Sequence, residues 1–188
     1  MKKQAILFGL VLFVGLVFGW RSFKVVFTSF PFEANKDKVE VKLEIRNDTG
    51  ETTINCHFNV IEQLDDLYLT YAISLDNGEG NYTTLINRST NFCKFLTTKA
   101  SEPILKVIYD DLLKHGNFFK ACPLKKGIYY LHDYRIDEEM LPSYVPETTL
   151  AVDIVFTLPS KEQLFKGKLL GKIDKSKGFN NLKIFSLG

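Results

Sequence analysis

Few residues in this chain could do chemistry: three histidines, His57, His115 and His132, and three cysteines, Cys56, Cys93 and Cys122. A general base, a nucleophile or a metal ligand needs partners at a fixed spacing, and those spacings are missing. There is no H-E-x-x-H, no nucleophile elbow, no C-x-x-C and no glycine-rich phosphate loop. Cys56 and His57 are neighbours, but adjacent residues of a strand point to opposite faces and share no proton. His115 falls in the last turn of a predicted helix, where a cation complements the dipole, and His132 precedes Asp133. This pattern predicts a protein that is not an enzyme, with no catalytic residue, no metal and no cofactor.

The cysteines are better read as covalent architecture. Lys2 and Lys3 precede an apolar run from Ala5 to Phe18 that ends at Gly19, the form of a secretory signal peptide. At about fourteen residues the run is shorter than the roughly 20 a membrane span needs. Cleavage is expected near Gly19/Trp20. In an oxidising compartment three cysteines allow one internal bridge and one leftover. Cys93 and Cys122 flank an amphipathic segment that doubles the chain back, so they are the predicted pair. Two readings stay open for Cys56, which alternates in phase with Ile54, Phe58 and Val60: a buried free thiol, or an intermolecular disulfide.

Three sequons, at Asn47, Asn81 and Asn87, fit a secreted, extracellular protein and require exposed backbone if glycosylated. Asn81 and Asn87 lie on one predicted strand, which therefore cannot be central and covered on both faces. Losing Lys2 and Lys3 takes the formal charge from +2 to zero, which argues against nucleic acid as a partner. Lysines gather after Leu158, at Lys161, Lys166, Lys168, Lys172, Lys175, Lys177 and Lys183. They predict a solvated basic tail, or else contact with an anionic membrane surface or glycan.

Stepping along the chain, nearly everything that could position these groups alternates with period two. Trp20–Phe30 is rich in β-branched and aromatic residues, and Val39, Val41, Leu43 and Ile45 alternate with charged residues. An Asp48-Thr49-Gly50 turn joins that strand to Thr52–Ile61 as a hairpin. Leu67–Ser74 and the segment after the Asn77–Gly80 turn form a second hairpin, whose alternation continues from Thr90 to Leu96. Ser101-Glu102-Pro103 then opens a predicted helix of about thirteen residues, with Ile104, Val107, Ile108 and Leu112 as its apolar stripe and Gly116 as its stop. Gly127–Tyr134 and Thr148–Leu158 are further strands, with a short one expected around Phe165–Leu170. The prediction is a mainly β, immunoglobulin-like antiparallel β-sandwich with one amphipathic helix inserted between strands. Its parts are a signal peptide (1–19), the sandwich (20–158) and a basic C-terminal strand or tail (159–188).

The succession C-K-F-L from Cys93, amphipathic helix, H-G-N, C-P-L-K-K-G-I-Y-Y, D-Y and L-P-S-Y-V-P-E-T resembles an insect family of secreted proteins of unassigned function. That family includes the chemosensory CheA and CheB proteins and is related to the myeloid-differentiation-type lipid-recognition (ML) superfamily. The resemblance covers roughly Asn81 to Leu158. It implies a two-sheet sandwich that opens to hold an apolar ligand and, for some members, a role in pheromone or taste detection. The family often has a further cysteine near its first strand; here Trp20–Phe30 has none, which leaves Cys56 without that partner.

With 16 Phe and 8 Tyr, the chain has the aromatic mass to line such a space or to fill it. Candidate lining residues are Phe58, Phe92, Phe95, Ile104, Ile108, Leu112, Tyr129, Ile154 and Phe156. The predicted function is that of a secreted binding protein for a lipid, hydrocarbon or pheromone-like molecule. The alternative is a secreted domain acting through its surface, as a disulfide-linked dimer through Cys56 or as a receptor partner.

Overall fold

The computed structural model describes residues 24–48, 51–78, 80–99, 102–137 and 145–175. The expected signal segment, the helix cap Ser101 and the turn residues Thr49 and Gly50 lie outside them.

Strict alternation becomes strand almost everywhere. The strands are β1 (Lys24–Ser29), β2 (Phe32–Ala34), β3 (Val39–Asp48), β4 (Glu51–Val60), β5 (Tyr68–Asp76), β6 (Tyr82–Asn91), β7 (Gly127–Tyr134), β8 (Thr149–Thr157) and β9 (Gln163–Asp174). Between β6 and β7 stand two helices, α1 (Phe92–Thr98) and α2 (Pro103–Leu112), with a 3-10 turn at Leu113–His115. One sheet has the order β1-β9-β8-β5-β6, with β2 also paired to β9; the other is β3-β4-β7. All pairings are antiparallel. Two faces of opposite alternation thus meet: Val39, Ile54, Cys56, Val60 and Leu131 from one sheet, and Val25, Phe27, Leu69, Tyr71, Phe165, Leu169 and Ile173 from the other.

Among the described residues β6 is bonded only to β5 and is an edge; Asn81, Asn87 and, at the end of β3, Asn47 are exposed.

Three expectations are corrected. The chain does not stay extended to Leu96: Asn91 accepts a hydrogen bond from the Lys94 backbone N–H at 2.7 Å through its side chain, a helix cap that outweighs local alternation. The inserted element is therefore two helices, not one. In α2 the buried residues are Leu105, Tyr109 and Asp111, while Ile104 is 47% and Val107 53% exposed. Of the aliphatic stripe read from sequence, Ile104 and Val107 face outward while Leu112 packs against the core, because Tyr109 and Leu105, four residues apart, hold the inner side. Last, the basic stretch after Leu158 does not stand outside the sandwich. β9 lies between β1 and β8, and its lysines 166, 168 and 172 occupy one face while Phe165, Gly167, Leu169, Gly171 and Ile173 fill the buried one. The sandwich runs through Asp174.

After the 3-10 turn the chain crosses β7 closely, with the Tyr130 N–H donating to the Asn117 carbonyl at 3.0 Å. Gly116 makes the crossing possible, since a Cβ there would sit 2.3 Å from the Tyr130 carbonyl oxygen and 2.9 Å from its ring. Gly116→Ala is expected to cost about 1–3 kcal/mol, the usual penalty of forced overpacking. The check is the midpoint of urea unfolding.

Candidate functional site

The interior between the sheets is aromatic, and its two halves are built differently. In one half α1 seals the space. Asn91 anchors that helix from both sides, capping it and donating from Nδ2 to both Asp66 carboxylate oxygens at 2.9 and 3.0 Å. The Phe92 N–H donates to the Leu67 carbonyl at 2.7 Å. This turns Phe92 and Phe95 inward, 2% and 1% exposed, where they meet Tyr109 edge-on at 6.4 and 5.4 Å between ring centroids. The Tyr109 hydroxyl donates to the Phe119 carbonyl at 2.7 Å, and Lys99 Nζ stands 4.7 Å from its ring centroid. Burial pushes its pKa up to about 12. Asp111, also buried on α2, accepts from Lys114 Nζ at 3.1 Å through one oxygen; among the described residues its other oxygen has no hydrogen-bond partner.

Cys93 and Cys122 are bonded, with Cα atoms 5.5 Å apart, so the helical segment is tied to the chain just before β7. The Leu64–Leu124 bridge ties the same loop to the connection between β4 and β5. Cys56 is free and 4% exposed, flanked in register by Leu43 and Leu131. Burial raises its pKa to about 12, which holds it as a protonated, unreactive thiol. Its burial argues against the alternative of a disulfide-linked dimer through Cys56.

In the other half several inward side chains are only partly buried. Val152, Ile154 and Phe156 belong to β8, which has strands on both sides. They share the inward face with buried Leu69, Tyr71, Phe165 and Leu169, yet stay only partly buried. Phe58 and Tyr129, paired across β4 and β7, are partly buried too. The ring contacts link the halves: Phe92 meets Phe156 at 5.3 Å and Phe119 at 6.5 Å, and Phe119 meets Phe58 at 5.6 Å and Tyr129 at 4.8 Å. Phe58 reaches Phe165 at 6.1 Å. At Gly167 a Cβ would fall 2.6 Å from the Phe30 ring, so an aromatic ring from the β1–β2 connection takes the place of a side chain on β9.

Of the nine lining candidates, Phe58, Phe92, Phe95, Leu112, Tyr129, Ile154 and Phe156 therefore belong to the core or pack against it. Ile104 does not: it faces out. Ile108 is half-exposed. Sequence reading passed over Tyr109, Phe118 and Phe119, although two consecutive phenylalanines directly after a helix stop are a signal for an inward-packed crossing. Among the described residues no group of three or more His, Cys, Asp or Glu side chains is arranged to hold a metal ion.

These features define a two-sheet antiparallel β-sandwich with an aromatic interior and a helical segment fixed by one disulfide. Residues 69–152, from β5 through the helices into β8, match the family model "Protein of unknown function (DUF1091)". No curated protein matches the chain. Among solved structures it is similar to chicken MD-1 complexed with lipid IVa, at 12% identity and a TM-score of 0.38, over 81% of this chain and 99% of that one. A Niemann-Pick type C2 protein from Japanese carpenter ant is similar at 11% identity and a TM-score of 0.32, over 79% and 92%. Murine CRIg follows at 9% identity and 0.24, over 69% and 93%. All three likenesses are distant, and the fold stands on its own strand order and packing.

Proposed function

We propose that this protein binds an apolar molecule, of lipid or hydrocarbon type, between its two sheets. The observation that supports this reading is the accessibility of Val152, Ile154 and Phe156. Inward residues of a strand flanked on both sides should be fully covered in a solid sandwich; here they keep open surface while Phe92 and Phe95 nearby do not. Charged groups are absent from this partly open set, so selectivity rests on shape and on aromatic contact. The protein acts outside the cell, as a disulfide, a sequence of signal-peptide form and exposed sequons would require. Contact chemosensation is the use that the motif resemblance implies for it. A second reading, docking to a receptor or membrane surface, is favoured by one observation, the exposure of Ile104 and Val107 on the outer side of α2.

The test uses N-phenyl-1-naphthylamine as a fluorescent apolar probe and solvent extraction of the purified protein followed by mass spectrometry. Saturable probe binding is expected. Ile154→Trp, which fills the open half, is expected to weaken it by about tenfold, the effect of losing roughly 1.4 kcal/mol of contact, with the folded far-ultraviolet signal kept. Ile104→Glu should leave binding unchanged. No saturable binding and no extracted apolar molecule would overturn the proposal, as would an Ile154→Trp protein that binds the probe as well as the parent.

A further inference from the structure

We propose that the outer face of the three-stranded sheet carries a binding site for a divalent transition-metal ion, built on His57 and His132. These residues are on adjacent strands. His57 pairs in register with Tyr130 on β7, and His132 lies two residues further along the same outward phase. Both imidazoles are exposed and their ring centroids are 4.9 Å apart. The rings meet edge-on, with 71° between their planes, at a spacing that a shared ion also accommodates. An imidazole bound to Zn²⁺ through a nitrogen at about 2.0–2.1 Å has its ring centroid about 3.2 Å from the ion, so two imidazoles at a tetrahedral angle stand about 5 Å apart. The backbone thus brings the two rings to a spacing compatible with a shared ion.

The rings are also held in place. Tyr130 lies against both, 4.9 Å from His132 and 6.3 Å from His57 between centroids. Tyr130 itself is fixed by the β4–β7 ladder and by the crossing chain at Gly116 and Asn117. Less side-chain entropy is lost on binding when ligands are pre-positioned this way. Lys42 stands opposite His57 on β3; on the same outward phase Glu40 accepts from Asn59 Nδ2 and Glu44 pairs with Arg46. Water supplies the remaining coordination positions. Two neutral imidazoles select borderline ions, Zn²⁺, Cu²⁺ or Ni²⁺, over Mg²⁺ and Ca²⁺, which require oxygen ligands. The site lies on the solvent side of β4 and β7, opposite the face that bears Cys56, Phe58 and Tyr129, and does not depend on the apolar ligand.

The experiment is titration calorimetry of chelator-treated full-length protein with ZnCl₂, and separately with CaCl₂. One saturable Zn²⁺ event and no Ca²⁺ event are expected. His57→Ala and His132→Ala should each weaken Zn²⁺ binding by about tenfold or more, since losing even a group that merely orients a ligand costs 10–100-fold. His115→Ala, on the third histidine, should bind as the parent does. Both strand positions are exposed, so the variants fold, and their circular dichroism verifies it. Absence of saturable Zn²⁺ binding, or a smaller loss in either strand variant, would show the cluster to be stacking alone and overturn the proposal.

Discussion

Replacing Cys93 or Cys122 by serine is expected to lower the unfolding free energy by about 2–5 kcal/mol and to reduce yield from eukaryotic secreting cells equally. The two sulfurs form one bond across a sequence separation of 29, and on the chain-entropy account closing a loop of that size contributes about 3–4 kcal/mol. Native contacts add to the loss, because the bond holds α1, with Phe92 and Phe95, against the chain entering β7. The equality of the two losses is the diagnostic, since either serine breaks the same link. Cys56 behaves differently in kind. Cys56→Ala should be mild, whereas Cys56→Ser places a hydroxyl among Leu43, Leu131 and their neighbours and costs about 1–3 kcal/mol if it finds no acceptor. Urea unfolding of the four variants, under non-reducing conditions, separates these outcomes. A Cys56→Ser loss equal to that of Cys93→Ser together with unequal losses at Cys93 and Cys122 would contradict the pairing.

The second large effect belongs to Phe92. At 2% exposure its ring touches Phe95, Tyr109, Phe119 and Phe156, which come from both helices, the crossing segment and β8. Phe92→Ala is expected to cost about 3–5 kcal/mol, the range for emptying a buried aromatic site. Ile154→Ala, on the partly open side, should cost well under half of that, because its neighbours already face accessible space. Calorimetric melting of the two variants side by side is the check. Equal costs would mean that the interior is packed uniformly and would remove the distinction between its halves.

Much of this was readable from residue order, and the misses have physical causes. Val39, Val41, Leu43 and Ile45 alternate with charges, and the short Asp48-Thr49-Gly50 sequence signals a turn, so the hairpin of β3 and β4 followed directly. The pairing of Cys93 with Cys122 followed from the turn-back between them. Asn91 was harder: its neighbours still alternate, and only its side-chain cap shows that a helix starts there. On α2 Ile104 and Val107 pointed to the wrong face, since they are more apolar than Tyr109 by residue type but lack its hydrogen bond to Phe119. The lysines of β9 read as a solvated run because Gly167 and Gly171, small residues on the buried phase, break the apolar signal. Nor does local order reveal which strands become neighbours. The proximity of His57 and His132 depends on the pairing of β4 with β7, between which both helices intervene.

The position of β9 bears on how the chain is made. Residues 163–174 fill the gap between β1 and β8, so the larger sheet cannot be completed until that stretch has left the ribosome. Local pairs such as β3–β4 and β5–β6 can form during synthesis; the union of β1 with β9 joins residues far apart in sequence and must wait. During that interval the apolar face of β8 has no partner on one side. The growing chain would then present Val152, Ile154 and Phe156 to chaperones before the sandwich closes around them.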